Sequence, residues 1–240
     1  MTGYIRLVLA GPPPTPVAAA SPAACTRIVL DPGHDRLPNF GLEPLGPKSH
    51  KLVVKDFGGV FGIRSHVPSS RVNLKIALKV RGILRRNGYC VTMTRTKEGG
   101  VSMGNVARAR IANKAHAALW VRIHCDGSGN HSRHGTSTFF PAFHKGWTDD
   151  ILPASRNAAK VIQSSLVSAL GSKNLGTSKR KDVVGFNWSN VPVVLTEVGF
   201  MTNRGEDKLL TSGAYKARAA QGIADGIMKF VPPSAPTQQQ

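Results

Sequence analysis

Apolar residues recur along this chain with two alternating periods, one typical of helices and one typical of strands. Valine and isoleucine spaced three or four positions apart predict a helix that contains Val72, Ile76, Val80 and Ile83. Short runs rich in β-branched residues predict strands between the helical segments. The other helices are predicted at about residues 102–115, 159–169 and 220–230, and the strands at residues 26–30, 89–94, 118–123, 136–140 and 191–198.

This alternation of strands and helices is typical of a single α/β domain with a mostly parallel sheet. The nearly continuous apolar run at 191–198 fits a strand buried at the centre of such a sheet. We place the domain at residues 26–231. A Pro/Ala-rich leader or linker, residues 1–25, precedes it, and a polar tail, residues 232–240, follows it.

Composition adds a strong positive charge to this picture. Hydrophobic residues make up 41% of the 240 positions, which is enough for a buried core and argues against global disorder. No run of 18 apolar residues is present, so no transmembrane segment is predicted. The net charge of +19 should attract polyanions such as nucleic acid, anionic lipid or acidic wall polymers. Specific binding of nucleic acid is disfavoured, because the motifs of the common nucleic-acid-binding folds are missing.

The three cysteines are too few and too scattered for a disulfide scaffold or a four-cysteine zinc site. Cys25 ends the leader. Cys90 and Cys125 lie in strand-like runs, so we expect both of them in the core.

Candidate catalytic and metal-binding residues lie where three predicted strands end. His34 follows the first strand, His124 follows the run ALWVRI, and Glu197 ends the run VPVVLT. In open α/β sheets, functional groups collect at the carboxyl ends of the strands. Zinc binds imidazole and carboxylate, and a neighbouring carboxylate can move protons. A single histidine near the end of a strand is more often a surface or packing residue than a metal ligand. A carboxylate within a buried apolar run, such as Glu197, needs either a neighbouring cation or access to solvent.

Four segments of the chain resemble the zinc-dependent N-acetylmuramoyl-L-alanine amidases of the amidase_3 family. They are IVLDPGHD, VNLKIALKVRGILRRNGYCVTMTRT, ARIANKAHAALWVRIHCDGS and VPVVLTEVGFMTN, in the family's order, and the similarity covers residues 26–230. The resemblance implies a six-stranded sheet flanked by helices. It also implies a hydrolase that cleaves the amide bond between N-acetylmuramic acid and L-alanine in peptidoglycan. His34 and His124 would be zinc ligands, and Glu197 would be the catalytic acid/base.

The chain departs from this family at the third zinc ligand. The family has a glutamate before the first long helix, and Ser69 stands at that position. No acidic residue occurs from residue 57 to residue 97, and His66 is the one nearby candidate for a substitute ligand. An alternative function is therefore a catalytically impaired, amidase-like protein that binds the cell wall.

The resemblance also implies where the protein acts and what it meets there. Peptidoglycan lies outside the membrane, so we expect a secreted or wall-associated protein whose partners are peptidoglycan and anionic wall polymers. The glycine-rich segment at residues 57–62 lacks the lysine of a phosphate-binding loop and is interpreted as a loop beside the site. Trp147, Phe186 and Trp188 are candidates either for packing or for stacking on sugar or peptide.

Overall fold

Eight strands and six helices lie along residues 25–234, the part of the chain that the computed structural model describes. The predicted leader, apart from Cys25, and the tail from residue 235 lie outside the described residues. The strands are β1 Arg27–Pro32, β2 Asn39–Pro44, β3 Leu52–Asp56, β4 Cys90–Met93, β5 Leu119–Asp126, β6 Thr136–Pro141, β7 Asn174–Arg180 and β8 Val193–Phe200. The helices are α1 Ser69–Arg86, α2 Asn105–Lys114, α3 Leu152–Leu170, α4 Val184–Asn187, α5 Arg204–Thr211 and α6 Gly213–Phe230.

Six of these strands form one sheet in the order β4-β1-β5-β8-β6-β7. The four strands from β4 to β8 are mutually parallel, whereas β6 runs antiparallel to β8 and parallel to β7. Strands β2 and β3 form a separate antiparallel hairpin. The predicted α/β domain with a mostly parallel, six-stranded sheet flanked by helices is confirmed.

The side chains of the central strands point alternately into two apolar layers. On β1, Ile28 and Leu30 belong to one layer and Val29 belongs to the other. The first layer is filled by α1, α3 and α6, and the second by α2 and α4. All eight positions of β8 are buried, as the continuous apolar run predicts.

The structure differs from the sequence prediction at several elements. The hairpin formed by β2 and β3 was not predicted, and neither was β7. Helix α2 begins at Asn105 after an N-cap at Gly104, not at Ser102. The Ser102 hydroxyl instead donates a hydrogen bond to Asp56, which draws this segment towards the hairpin.

Two of the three cysteines form a disulfide bond, between Cys25 and Cys90. Cys90 is exposed on β4, so its expected place in the core is wrong. Cys125 is buried in the first apolar layer, as expected. Within residues 25–234, no helix has the length and apolar character needed to span a membrane.

Candidate active site

Three adjacent parallel strands bring the predicted residues to one edge of the sheet. Strand β5 lies between β1 and β8, so the carboxyl ends of all three strands meet. His34 follows β1 after a sharp turn, and its own φ of 58° is in the left-handed region. His124 and Glu197 are direct neighbours in the register of β5 and β8. The structure therefore brings His34, His124 and Glu197 together.

The two imidazole rings lie against each other at this edge. Their centroids are 4.9 Å apart, and the rings meet edge to face at 76°. Gly33 makes this approach possible, because a Cβ atom at residue 33 would overlap the His124 ring. The Nε2 atom of His124 is buried and has no hydrogen-bond partner among the described residues. It is thus available as a donor atom for a ligand.

Asp56, at the end of β3, orients His34. Its Oδ1 atom lies 2.7 Å from His34 Nδ1 and accepts a hydrogen bond from the Gly58 amide at 2.7 Å, and its Oδ2 atom accepts one from the Ser102 hydroxyl at 2.5 Å. Burial opposes ionisation of Asp56, but the contact with His34 and the other hydrogen bonds outweigh it and hold the pKa of this carboxyl well below its ordinary value. An anionic Asp56 fixes the proton of His34 on Nδ1 and leaves Nε2 as the lone-pair nitrogen.

Ser69 begins α1 on the side of the site where His34 lies. Its hydroxyl oxygen accepts a hydrogen bond from the Val60 amide at 3.1 Å, and the side chain is fully buried. A Cβ atom at Gly59 would overlap Ser69 Oγ and lie 3.2 Å from His34 Cδ2, so Ser69 and His34 face the same backbone. The position that carries a carboxylate in the resembling family therefore lies at the site and holds a hydroxyl here.

Among the described residues, no other side chain supplies the absent ligand. His66 is exposed in the loop before α1. Between residues 25 and 234, no three or more His, Cys, Asp or Glu side chains are placed to hold a metal ion together. The site thus offers two imidazoles.

Glu197 is buried with an unpaired carboxyl oxygen, Oε2, as judged over the described part of the chain. Burial raises the pKa of the Glu197 carboxyl well above its ordinary value, and the charge of Asp126 adds to the effect. Burial likewise holds the pKa of His124 well below its ordinary value, and positive charge on His34, when that ring is protonated, and on Arg122 adds to the effect. Both effects favour neutral side chains. A neutral imidazole can bind a metal ion, and a cation held there would favour the carboxylate form of Glu197, which can accept a proton from water and then donate it to a leaving group.

A buried ion-pair network supports the turn that carries His34. Asp31, fully buried on β1, accepts hydrogen bonds from Arg108 at 2.5 Å, from Arg122 at 2.8 Å and from the Thr94 hydroxyl at 2.6 Å. Arg108 also donates to the backbone oxygen of His34 at 3.3 Å. The network ties β1, β5 and α2 together behind the imidazoles.

A cleft of about 500 Å³ opens beside the imidazoles. Residues of β3, β5 and β8 line it. Phe57, which directly follows β3, and Arg180, at the end of β7, also border the cleft. The hairpin that the sequence did not predict therefore supplies both a wall of the cleft and the carboxylate that orients His34.

Known proteins match this chain along most of its length. A family model described as N-acetylmuramoyl-L-alanine amidase matches residues 28–229. Over 212 residues the chain is 30% identical to the uncharacterized protein YqiI of Bacillus subtilis, with 88% of each protein covered. Over 210 residues it is 27% identical to the N-acetylmuramoyl-L-alanine amidase LytC of Bacillus subtilis, covering 88% of this chain but only 36% of LytC.

A solved structure agrees with these sequence matches. It is the catalytic domain of CwlV, an N-acetylmuramoyl-L-alanine amidase from Bacillus (Paenibacillus) polymyxa, which aligns with a TM-score of 0.68 at 28% identity. The alignment covers 85% of this chain and 97% of that domain. The resemblance carried by the four sequence segments is confirmed. The chain belongs to the N-acetylmuramoyl-L-alanine amidase family.

Proposed function

We propose that this protein hydrolyses the amide bond between N-acetylmuramic acid and L-alanine in peptidoglycan. The observation that carries the proposal is the meeting of His34, His124 and Glu197 at one edge of the sheet, inside the segment that matches the family. Two relatives, LytC and CwlV, carry this activity in their names.

We further propose that zinc is the cofactor and that His34 and His124 hold it. The unpaired Nε2 atom of His124 and the Nε2 atom of His34, which Asp56 leaves free, fit the nitrogen ligands that zinc takes. Ser69 adds a hydroxyl in place of a carboxylate, so the protein supplies two ligands of the usual three. A zinc ion bound here supplies Lewis acidity that polarises the scissile carbonyl.

Glu197 moves the proton in this scheme. Its unpaired oxygen takes a proton from the attacking water and passes it to the nitrogen of L-alanine as the amide bond breaks. Asp56 keeps the His34 ring in a single orientation throughout, and the network around Asp31 holds the turn beneath it. Amide nitrogen is a poor leaving group unless it is protonated, so this transfer is essential to the reaction.

A catalytically impaired, wall-binding relative is the second candidate, and Ser69 is the observation that favours it. Purified protein loaded with zinc distinguishes the two functions when metal content and release of stem peptides from peptidoglycan are measured together. We expect one zinc per chain and release of peptides. Absence of both would contradict the hydrolase and support the wall-binding function.

An extracellular or cell-wall location follows from the substrate of this family. The Cys25–Cys90 disulfide supports it, because disulfides persist in oxidising compartments outside the cytosol. We also propose that anionic wall polymers are a second partner. Lys75, Lys79 and Arg86 are exposed on α1 and form no ion pair with any other described residue, so their charge is available to a polyanion.

A further inference from the structure

Two phenylalanine side chains beside the site are unusually exposed. Phe57 is 75% exposed and borders the cleft, and Phe61 is 60% exposed four residues later. Exposed apolar side chains that lie together beside a cleft are typical of a ligand-binding surface. These two rings take no part in holding a metal or in moving a proton, so the proposed reaction does not account for them.

The backbone between the two rings is packed against the site. The amide and the carbonyl of Val60 both bond to Ser69, at 3.1 and 2.8 Å, and Gly59 lies close to the His34 ring. Phe61 forms a backbone bridge with Pro68. The two rings therefore project into water from a segment that is tied to the site.

The aromatic residues that the sequence suggested for stacking already make contacts within the protein. Phe186 is completely buried, and the Trp188 indole donates a hydrogen bond to Pro44 at 3.0 Å. Trp147 stacks on His144 with centroids 3.6 Å apart. Phe57 borders the cleft, and Phe61 lies on the same segment that is tied to the site, so these two exposed rings are the nearest candidates for stacking. Phe40, 67% exposed on β2, neither borders the cleft nor belongs to that segment.

Exposed faces of aromatic rings bind sugar rings well. The C–H groups on one face of a pyranose carry slight positive charge and pack well on the negative face of an aromatic ring. Four residues of chain span at most about 14 Å, so the two rings can contact neighbouring sugars of one strand. A peptidoglycan glycan strand necessarily passes the site when the amide on one of its sugars is cleaved.

We propose that Phe57 and Phe61 form a subsite for the glycan strand of peptidoglycan. This inference rests on the proposed function, because that function places the cleaved amide beside His34 and His124. The subsite would hold sugars next to the N-acetylmuramic acid under attack. It would thereby favour long strands over short fragments.

The test compares Phe57→Ala/Phe61→Ala with the wild type on two substrates, polymeric peptidoglycan and a muramoyl-peptide with a single sugar. We expect the ratio of kcat/KM for the polymer to kcat/KM for the fragment to fall about tenfold, since each lost aromatic contact is worth a few-fold in affinity. The variant Phe57→Trp/Phe61→Trp should retain the ratio. Phe143→Ala is the matched control, because Phe143 is 68% exposed but is not among the residues that line the cleft.

Binding of peptide-free glycan strands gives a readout that does not depend on catalysis. Wild type should sediment with these strands and the double alanine variant should not. If the wild type binds strands through the two phenylalanines but cleaves neither substrate, the proposed function fails and the subsite stands. An unchanged ratio together with unchanged strand binding overturns the subsite. The subsite is also overturned if the double alanine variant loses kcat/KM equally on both substrates. The same holds if the wild type binds anionic lipid vesicles but does not bind glycan strands.

Discussion

Glu197 carries a carboxyl group in a fully buried strand. Burying such a group costs free energy, so a catalytic role is the best explanation for its position. Glu197→Gln keeps the shape of the side chain but cannot accept a proton, so we expect release of stem peptides to fall by about 10²–10⁴-fold. Burial favours the neutral acid in the wild type, and glutamine is also neutral. The free energy of unfolding should therefore change by no more than about 1 kcal/mol.

Chromatography of released muropeptides measures the activity of Glu197→Gln, and urea unfolding measures its stability. Undiminished release from a folded, zinc-loaded variant would contradict the role of Glu197. A large loss of stability would mean that the carboxyl group has a structural role, and the loss of activity could then not be assigned to proton transfer.

Ser69 determines how many protein ligands a metal ion finds. Ser69→Glu places a carboxylate beside His34 at the position where the resembling family has one, and we expect zinc affinity to rise at least about tenfold, the lower end of what even an outer contact contributes. Competition with a chromogenic chelator measures this affinity. Ser69→Gln is the matched control, because it has the same shape without charge. Equal affinities of the two folded variants would show that residue 69 does not reach the metal.

At the scale of elements, the central strands were predictable and the hairpin was not. Strands β1, β5 and β8 are apolar on both faces, so composition alone locates them, and the residues that end them form the candidate site. The hairpin exposes apolar residues, Leu42 on β2 and Leu52 on β3, which obscures its pattern. Asp56 was missed for the same reason, because its contact with His34 joins an unpredicted strand to a turn 22 residues earlier.

The polar network between β1, β5 and α2 should make stability depend on pH. Burial opposes the ionisation of Asp31, but Arg108 and Arg122 outweigh it and hold the pKa of Asp31 well below its ordinary value of 3.8. A pKa that is lower in the folded state stabilises the protein above the unfolded pKa. This contribution is fully present at neutral pH and is lost as the pH falls below about 4.

Asp31→Asn tests this network. It leaves two buried guanidinium groups without their carboxylate, so we expect a loss of about 3 kcal/mol at pH 7 and a shallower dependence of stability on pH between 5 and 2. Urea unfolding at several pH values measures both. Asp182→Asn is the control, since its ion pair with Arg180 is exposed and should be worth less than about 1 kcal/mol. Parallel pH curves for wild type and Asp31→Asn would contradict the assignment.

For the molecule as a whole, the net charge could be read from composition, but the arrangement of the helices that carry it could not. The net charge of +19 predicts attraction of polyanions, and the folded structure shows on which surface that charge is concentrated. Helix α1 carries six basic residues and no acidic one, and α3, on the other side of α6, carries two. The Cys25–Cys90 disulfide could not be predicted either, because the two cysteines are 65 residues apart and come close only when β4 pairs with β1.

Two charge-reversed variants separate the effect of total charge from that of the α1 surface. Lys75→Glu/Lys79→Glu and Arg156→Glu/Lys160→Glu change the net charge equally, and all four side chains are exposed at a spacing of four on their helices. We expect the α1 variant to bind a phosphate-rich wall polymer more weakly than the α3 variant does. Its affinity should also fall less steeply with salt, because fewer counterions are released on binding. Equal losses in the two variants would mean that the long-range field of the whole molecule, and no particular face, attracts the polymer.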